Sequence, residues 1–371
     1  MKIALITKDL IPTQGGAERY ALQLATNLVE MGHEIHVFCT ACGCAATLGI
    51  QHHPVRLTQD SNLGLDTTTR QIIADCGVDV VYSLKLAYPV DAYRAGDGVH
   101  AHWLNLHHPN PVWRWISQHI PKKQRQLALE RCIYTSVLNC RAIITNSQLV
   151  KGHIEFYYPE AAGRIRVIYN GVDPTIFHPK TPAESRGWLK KWGIPESPMR
   201  ILFAANNWER KGLKTLLYGA ASLLRSKEAL LIVVGRGNVQ QWQGLAKKLK
   251  IQAQIFFVGS SPDMAQWYSA SHVFVLPTQY DPFANVCLEA MACACPVITT
   301  LENGASELIQ SGTTGYVLEE VDDFQKLEEY LAILRDPKIR ETMGNQALQT
   351  ALQFTMKRNA SETLKALQRI L

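Results

Sequence analysis

Two carboxylates, Asp281 and Glu289, stand eight positions apart in "YDPFANVCLEA" (280–290), and no other charged residue occurs from Phe274 to Leu301. Burying a charge is costly unless it is paired or hydrogen-bonded. Either something polar binds here, or Asp281 is a local cap and Glu289 lies at the surface. "VFVLPTQY" ends in a loop and "ANVCLEAMAC" reads as a helix, so Asp281 falls in the loop. The amides of Ala284, Asn285 and Val286 then point out of the helix start. Glu289 follows Asn285 by one turn on the same face. Carboxylates accept hydrogen bonds from hydroxyl groups but repel phosphate. A ligand with hydroxyls flanking a phosphate would suit the amides and both acids. The plainer reading is an acid favoured by the helix dipole plus a surface glutamate, although Glu289 has only apolar neighbours in sequence.

Two other loops carry suitable residues. Gly15 and Gly16 follow an apolar strand, "KIALIT", and precede a helical pattern, "AERYALQLATNLVEMG". Glycines let a backbone approach a ligand closely, and a helix start favours an anion. A full G-x-G-x-x-G is absent, so a simple tight turn stays open as an alternative. "NNWERKG" supplies Arg210 and Lys211 after a second apolar strand, with Gly212 at a helix start. Two cations there could clamp a diphosphate or form a solvated basic loop.

The elements that must position these residues alternate. "EIHVFCT" (34–40), "DVVYSL" (79–84), "AIITNS" (142–147) and "RIRVIYN" (164–170) read as strands in the first half. "RILFAAN", "ALLIVVG", "AQIFFVG", "VFVLPT" and "PVITT" do so in the second. Short, continuously apolar strands alternating with helices predict parallel sheets covered on both faces. The segment 173–198, with five prolines, reads as a linker containing a short helix. The expected organisation is an α/β chain of two doubly wound domains, 1–172 and 199–356, with ligands at the carboxyl ends of the strands in a cleft between facing loop sets.

The length of 371 residues suits two domains. The 47% apolar and 19% charged composition argues against disorder. A net charge of +6 permits an anionic partner without pointing to nucleic acid, for which no recognition motif is present. Nine cysteines, mostly in apolar runs, fit reduced residues in a cytoplasmic protein. Cys39, Cys42 and Cys44 lie close together, but no second ligand pair at zinc spacing accompanies them. His100, His102, His107 and His108 also lack an acid or cysteine that would complete a metal set. "MKIALITKDLIP" reads as a first strand and not as a signal peptide, and no apolar run is long enough to span a membrane.

The run "YDPFANVCLEAMACACPVITT" resembles the E-x7-E signature of the retaining glycosyltransferases of family four, which have the GT-B fold of two facing Rossmann-like domains. "IYNGVDPTIFHP", "RKG", "FFVG" before "MAQWYSASHVFVLPT", and "NGASELI" before "GTTGYVL" resemble the same family in order and spacing, over nearly the whole chain. "YRAGDGVHAHWL" and the Trp-rich basic segment after it are most similar to transferases that add glucose at the start of the lipopolysaccharide outer core.

The resemblance implies a nucleotide-sugar donor, UDP-glucose above all, held by the second domain. It implies no cofactor and no metal. Glu289 would hold the donor ribose and Asp281 the transferred sugar. The amides of Phe283, Ala284, Asn285 and Val286 would contact sugar and phosphate. Arg210 and Lys211 would neutralise the leaving diphosphate, and Gly15 and Gly16 would let the first domain close on it. Asp97 and His100 match the acceptor side: Asp97 would take or orient the acceptor hydroxyl's proton, and His100 would touch the donor sugar. Asp97 as a simple turn or cap residue stays open. A C-terminal helix, 357–371, is expected to pack back on the first domain. Two departures stand out. Asp281 replaces the more usual glutamate, and an arginine common shortly before the lysine is missing, with Ala205 and Asn206 in its place.

The implied acceptor is a lipid-linked glycan such as the lipopolysaccharide core. Residues 111–134 carry Trp113, Trp115 and five basic residues against one acid, Glu130. That pattern suits peripheral contact with an anionic membrane at its cytoplasmic face. It equally suits a solvated helix whose tryptophans pack inward. Rival readings are a sugar phosphorylase or nucleotide-sugar epimerase on the same fold, and a non-catalytic relative that binds glycan or membrane.

Overall fold

The computed structural model describes residues 1–11, 15–43, 49–55, 65–107, 110, 112, 115 and 119–371. The chain forms two compact units: residues 1–170 with 356–371, and residues 171–355.

The first unit is built on strands β1 (Lys2–Ile6), β3 (Glu34–Cys39), β5 (Ile50–Pro54), β6 (Val80–Ser83), β7 (Ala92–Ala95), β8 (Ala142–Thr145) and β9 (Ile165–Val167). They make one parallel sheet in the order β5-β3-β1-β6-β7-β8-β9, while the short β2 (Asp9–Leu10) pairs with β4 (Ala41–Cys42). Successive residues of β1 feed opposite faces. Ile3 and Leu5 join one apolar cluster, and Ala4 and Ile6 join the other. This is why the strand reads as an unbroken apolar run and not an alternating one.

Helix α1 (Gly16–Glu30) covers the first face with Tyr20, Leu24 and Leu28. The last helix, Met356–Gln368, adds Met356, Ala360 and Leu367 to that cluster, and Asn359 accepts a 2.9 Å hydrogen bond from the Tyr20 hydroxyl. Burial of Met356 and Leu367 contributes roughly 1.5–3 kcal/mol each, enough to hold the chain's end on the first unit. The other face carries α2 (Thr67–Asp75), α3 (His100–His107), α4 (Pro121–Thr135) and α5 (Gln148–Tyr157).

The second unit has β10 (Met199–Ala204), β11 (Ala229–Val234), β12 (Ile255–Gly259), β13 (Val273–Leu276), β14 (Val297–Thr300) and β15 (Gly315–Leu318). They form a parallel sheet in the order β12-β11-β10-β13-β14-β15. In both sheets the strand order reverses beside the first strand, between β1 and β6 and between β10 and β13. In doubly wound sheets such a switch point opens the crevice where ligands bind.

The segment 173–198, expected as a linker, instead belongs to the second unit. Its helix, α6 (Pro182–Lys191), opens with a capping box between Thr181 and Glu184 and buries Leu189, and α7 (Leu213–Gly219), α8 (Ala221–Arg225), α9 (Val239–Lys248) and α10 (Met264–Ser269) follow it along the second unit. The Trp188 and Trp192 rings lie 5.3 and 5.2 Å from that of Trp267. Aromatic packing against the neighbouring domain body thus makes this proline-rich stretch part of it. Strands β5, β7 and β15 were not among the strands expected. "IQHHP" and "AYRA" lack a continuous apolar run, and "GYVL" is short. Among the described residues, no helix is long and apolar enough to cross a membrane.

Candidate functional site

The loops after β10 and β13 meet at the switch point of the second sheet. Arg210 binds the second loop at both ends: its backbone oxygen accepts from Gln279 N (2.9 Å), and its Nη1 donates to the Tyr280 oxygen (2.7 Å). Lys211 Nζ forms an ion pair with Asp281 Oδ2, with both side chains nearly buried. Burial, with the Arg210 cation beside it, pushes the Lys211 pKa down from the usual lysine range. The Asp281 carboxylate opposes that trend and favours the charged ammonium. Gly212 ends the first loop at φ +82°, and a Cβ there would run into the Pro277 carbonyl oxygen. Glycine is required for the two loops to approach so closely.

Asp281 also accepts from Phe283 N on Oδ1 (3.1 Å). Its backbone bridges to Asn303, and its amide donates to the Glu302 oxygen (2.8 Å). The carboxylate therefore has two fixed tasks, holding Lys211 and closing the turn into the next helix.

That helix, α11 (Asn285–Ala292), has Ala284 as N-cap and no side-chain cap of its own. Asn303 reaches in from the far loop: its Oδ1 accepts from Ala284 N (3.0 Å) and Ala305 N (3.1 Å). Its Nδ2 donates to Thr299 Oγ1 (2.9 Å). Thus the amides of Phe283 and Ala284, expected at the ligand, are engaged within the protein. The positive end of the helix lies at Asn285 and Val286. Glu289, one turn along, is buried, and its Oε2 accepts from the Tyr268 hydroxyl (2.9 Å). The plainer reading of Glu289 as a surface residue does not hold. Arg210, Lys211, Asp281, Phe283, Ala284, Asn285, Val286 and Glu289 thus fall on the two loops of one switch point and the helix that follows.

In the first unit, Gly15 is the N-cap of α1 with extended backbone and no side-chain cap, and Gly16 is the helix's first residue. Asp97 is exposed and paired with Lys85 Nζ (3.0 Å). His100 opens α3 half-buried, and its Nε2 is a buried atom with no hydrogen-bond partner among the described residues. Burial and nearby Lys123 lower its pKa, so it presents a neutral imidazole.

Glu130, first seen only as the lone acid of a basic segment, is 1% exposed. It accepts from His100 N (2.6 Å), Ala101 N (3.1 Å) and the Tyr158 hydroxyl (3.0 Å). It caps α3 from another helix and fixes the start from which His100 projects. Burial pushes its carboxyl up to about 7 against the pull of those donors. Sequence reading missed Glu130, Asn303 and Tyr268 as supporting residues. The last two sit inside the quoted "NGASELI" and "MAQWYSASH" runs, which was the available signal.

The architecture of two parallel doubly wound units is that of glycosyltransferases of the GT-B fold, as comparison with known proteins shows. Residues 14–176 match the family model described as Glycosyltransferase Family 4, and residues 185–350 the one described as Glycosyl transferases group 1. The chain belongs to glycosyltransferase family four. It is 24% identical over 355 residues to N-acetyl-alpha-D-glucosaminyl L-malate synthase of Bacillus anthracis, covering 91% of this chain and 89% of the relative. The crystal structure of WaaG, a glycosyltransferase involved in lipopolysaccharide biosynthesis, has a TM-score of 0.83 at 20% identity, covering 98% of this chain and 99% of that one. Anabaena HepE in complex with UDP-glucose has a TM-score of 0.75 at 19% identity, covering 99% and 100%.

Proposed function

We propose that this chain transfers a hexose from UDP-glucose to a lipid-linked glycan of the lipopolysaccharide-core type, with retention of anomeric configuration. The observation that carries the reading is the switch point of the second unit. There Arg210 and Lys211 stand beside the start of α11, with Glu289 one turn along. Cations and helix amides suit the diphosphate, and a buried carboxylate suits the ribose hydroxyls. The choice of UDP-glucose draws support from the HepE complex, and the choice of acceptor from the likeness to WaaG.

In this reading Arg210, Lys211 and the amides of Asn285 and Val286 stabilise charge on the departing diphosphate. That makes the transfer independent of a metal or other cofactor. Asp281 touches the transferred sugar with its remaining lone pairs while it holds Lys211. The acceptor hydroxyl attacks from the face the diphosphate leaves, the sugar–diphosphate bond breaks and the departing diphosphate takes the hydroxyl proton, without a covalent enzyme intermediate. Asp97 orients that hydroxyl, and the neutral His100 hydrogen-bonds the donor sugar. Gly15 and Gly16 give the diphosphate a close backbone approach.

Contact with an anionic membrane is assigned to residues 111–134, at the cytoplasmic face where such an acceptor is built. Val112, Trp115 and Ile120 are exposed there, as are Lys122 and Arg125. Trp113 and Arg114 lie outside the described residues. Flotation with anionic vesicles should recover the protein, and equal recovery with neutral vesicles would exclude the electrostatic attraction.

The testing experiment pairs a thermal-shift panel of UDP, GDP and ADP sugars with NMR of the product formed on a heptose-containing core acceptor. Stabilisation by UDP-glucose and an α-linked product are expected. Glucose 1-phosphate from UDP-glucose-free phosphorolysis, or a new hexose epimer without acceptor, would favour the rival enzyme classes. Stabilisation by no nucleotide sugar would contradict the reading.

A further inference from the structure

Away from the residues assigned to transfer, the first unit brings two histidines and a cysteine together between its edge strand and the end of a helix. His36 lies on β3, His53 on the edge strand β5, and Cys76 caps the C-terminus of α2. In the sheet register Phe38 lies opposite His53 and His36 opposite Gln51. Because β3 residues 36 and 38 share a face, both histidine rings stand on the side covered by α2. His36 Nδ1 is 2.9 Å from His53 Nε2, and Cys76 Sγ is 3.8 Å from the same His53 nitrogen. The three ligand atoms all lie within 4.8 Å of one another. A tetrahedral zinc, with bonds of about 2.0–2.1 Å to nitrogen and 2.3 Å to sulfur, would hold such atoms about 3.3–3.6 Å apart. The two His53 distances are within about half an ångström of those values, and the remaining pair closes with a shift of about an ångström at most.

The surroundings favour that chemistry. His36 Nε2 lies 2.9 Å from Glu34 Oε1. A ring that donates Nε2–H to a carboxylate leaves its Nδ1 lone pair facing inward, the arrangement that orients a metal-bound histidine. Glu34 is itself held by Lys2 Nζ (3.3 Å), which also donates to the Cys76 carbonyl (3.1 Å) and so ties the end of α2 to the same group. Stacking of the His53 ring on Phe38, with centroids 4.7 Å apart, fixes its plane. His36 is buried, whereas His53 and Cys76 are half-buried, so an ion has a path from solvent.

We propose that His36, His53 and Cys76 bind a single zinc-class divalent cation, with the fourth position open to water. The set of two imidazoles and a thiolate excludes magnesium and calcium, which select oxygen ligands. Seating the ion displaces the proton shared between His36 Nδ1 and His53 Nε2, which moves to His53 Nδ1. The Cys76 thiol proton is released to solvent, so one proton leaves per ion bound. The ion links the edge strand and α2 to β3, and its expected role is to staple that side of the sheet.

Cobalt(II), which substitutes for zinc and is coloured, is the probe. Titration of the full chain should saturate at one equivalent, giving visible bands of tetrahedral intensity and a near-ultraviolet thiolate-to-cobalt band. Zinc should displace the cobalt. Cys76→Ser should abolish the near-ultraviolet band, and His53→Gln, at a half-buried position, should weaken cobalt at least 10-fold. Glu34→Gln should weaken it about 10-fold through the lost orienting bond. Cys42→Ser should leave the spectrum unchanged. The absence of any thiolate band in the wild type, or a band that survives Cys76→Ser undiminished, would overturn the proposal.

Discussion

Lys211 and Asp281, seventy residues apart in sequence, form a nearly buried ion pair across the switch point of the second sheet. The pair does two things at once. It holds two loops together, and it places an ammonium group next to the start of α11. Removing one partner strands the other, whereas replacing both with apolar side chains removes the desolvation cost as well.

Lys211→Met is therefore expected to destabilise the protein by about 3–5 kcal/mol and to cut transfer by about 100-fold or more. The double variant Lys211→Met/Asp281→Leu should regain much of the lost stability but none of the activity. Denaturant unfolding alongside turnover of UDP-glucose checks both. Recovery of activity in the double variant would show that Lys211 serves only to neutralise Asp281.

Asn303 satisfies two backbone amides from one oxygen. Asn303→Ala leaves the Ala284 and Ala305 amides without that acceptor, at a cost of about 1–3 kcal/mol each. Asn303→Asp keeps the acceptor and should be milder. The start of α11 should loosen with Asn303→Ala, so the KM for the donor should rise more than kcat falls. Hydrogen exchange at residues 284–288, with steady-state kinetics, reads both effects. Unchanged protection in the alanine variant would count against the cap.

Tyr268 donates to Glu289 from within the core. Tyr268→Phe removes only the hydroxyl. It should cost about 1 kcal/mol of stability and raise the donor KM several-fold through a less well held carboxylate. Glu289→Gln should cost far more activity than Tyr268→Phe. Equal, small effects from both would remove Glu289 from the donor site.

The raised pKa of Glu130, about 7 against an ordinary 4.5, sets a pH dependence. Between those values the folded state keeps a proton that the unfolded state has lost, so stability falls as pH rises through that window, by about 3 kcal/mol at most. Glu130→Gln abolishes this slope while losing some of the α3 cap. Melting temperatures measured from pH 5 to 7.5 should fall with rising pH in the wild type relative to the variant. Parallel curves would mean that Glu130 is ionised throughout.

What could be read from the sequence was local. The spacing of Asp281 and Glu289 about one helix start, and Arg210 with Lys211 before Gly212, are short-range patterns whose geometry follows from helix and loop rules. The sheet strands buried on both faces were likewise legible as apolar runs. The supporting residues were not, because their partners are distant in sequence. Asn303 reaches Ala284 across 19 positions, Tyr268 reaches Glu289 across 21, and Glu130 reaches His100 across 30. Glu130 misled most, since an acid among lysines and arginines looks solvated until its fold neighbours are known. The proline-rich stretch 173–198 misled in the opposite direction. Its composition suggested a linker, and only the packing of Trp188 and Trp192 on Trp267 makes it part of a domain.

On the proposed function, a nucleotide sugar is held for transfer at the switch point of the second unit. The most direct test is mass-spectrometric measurement of glucose transfer from UDP-glucose to a heptose-containing core acceptor, comparing wild type with Glu289→Ala at matched folded concentration. Robust transfer by the wild type is expected, with a loss of about 100-fold or more in the variant and no rise in its melting temperature on adding UDP-glucose. Transfer by Glu289→Ala at the wild-type rate would contradict the proposed function.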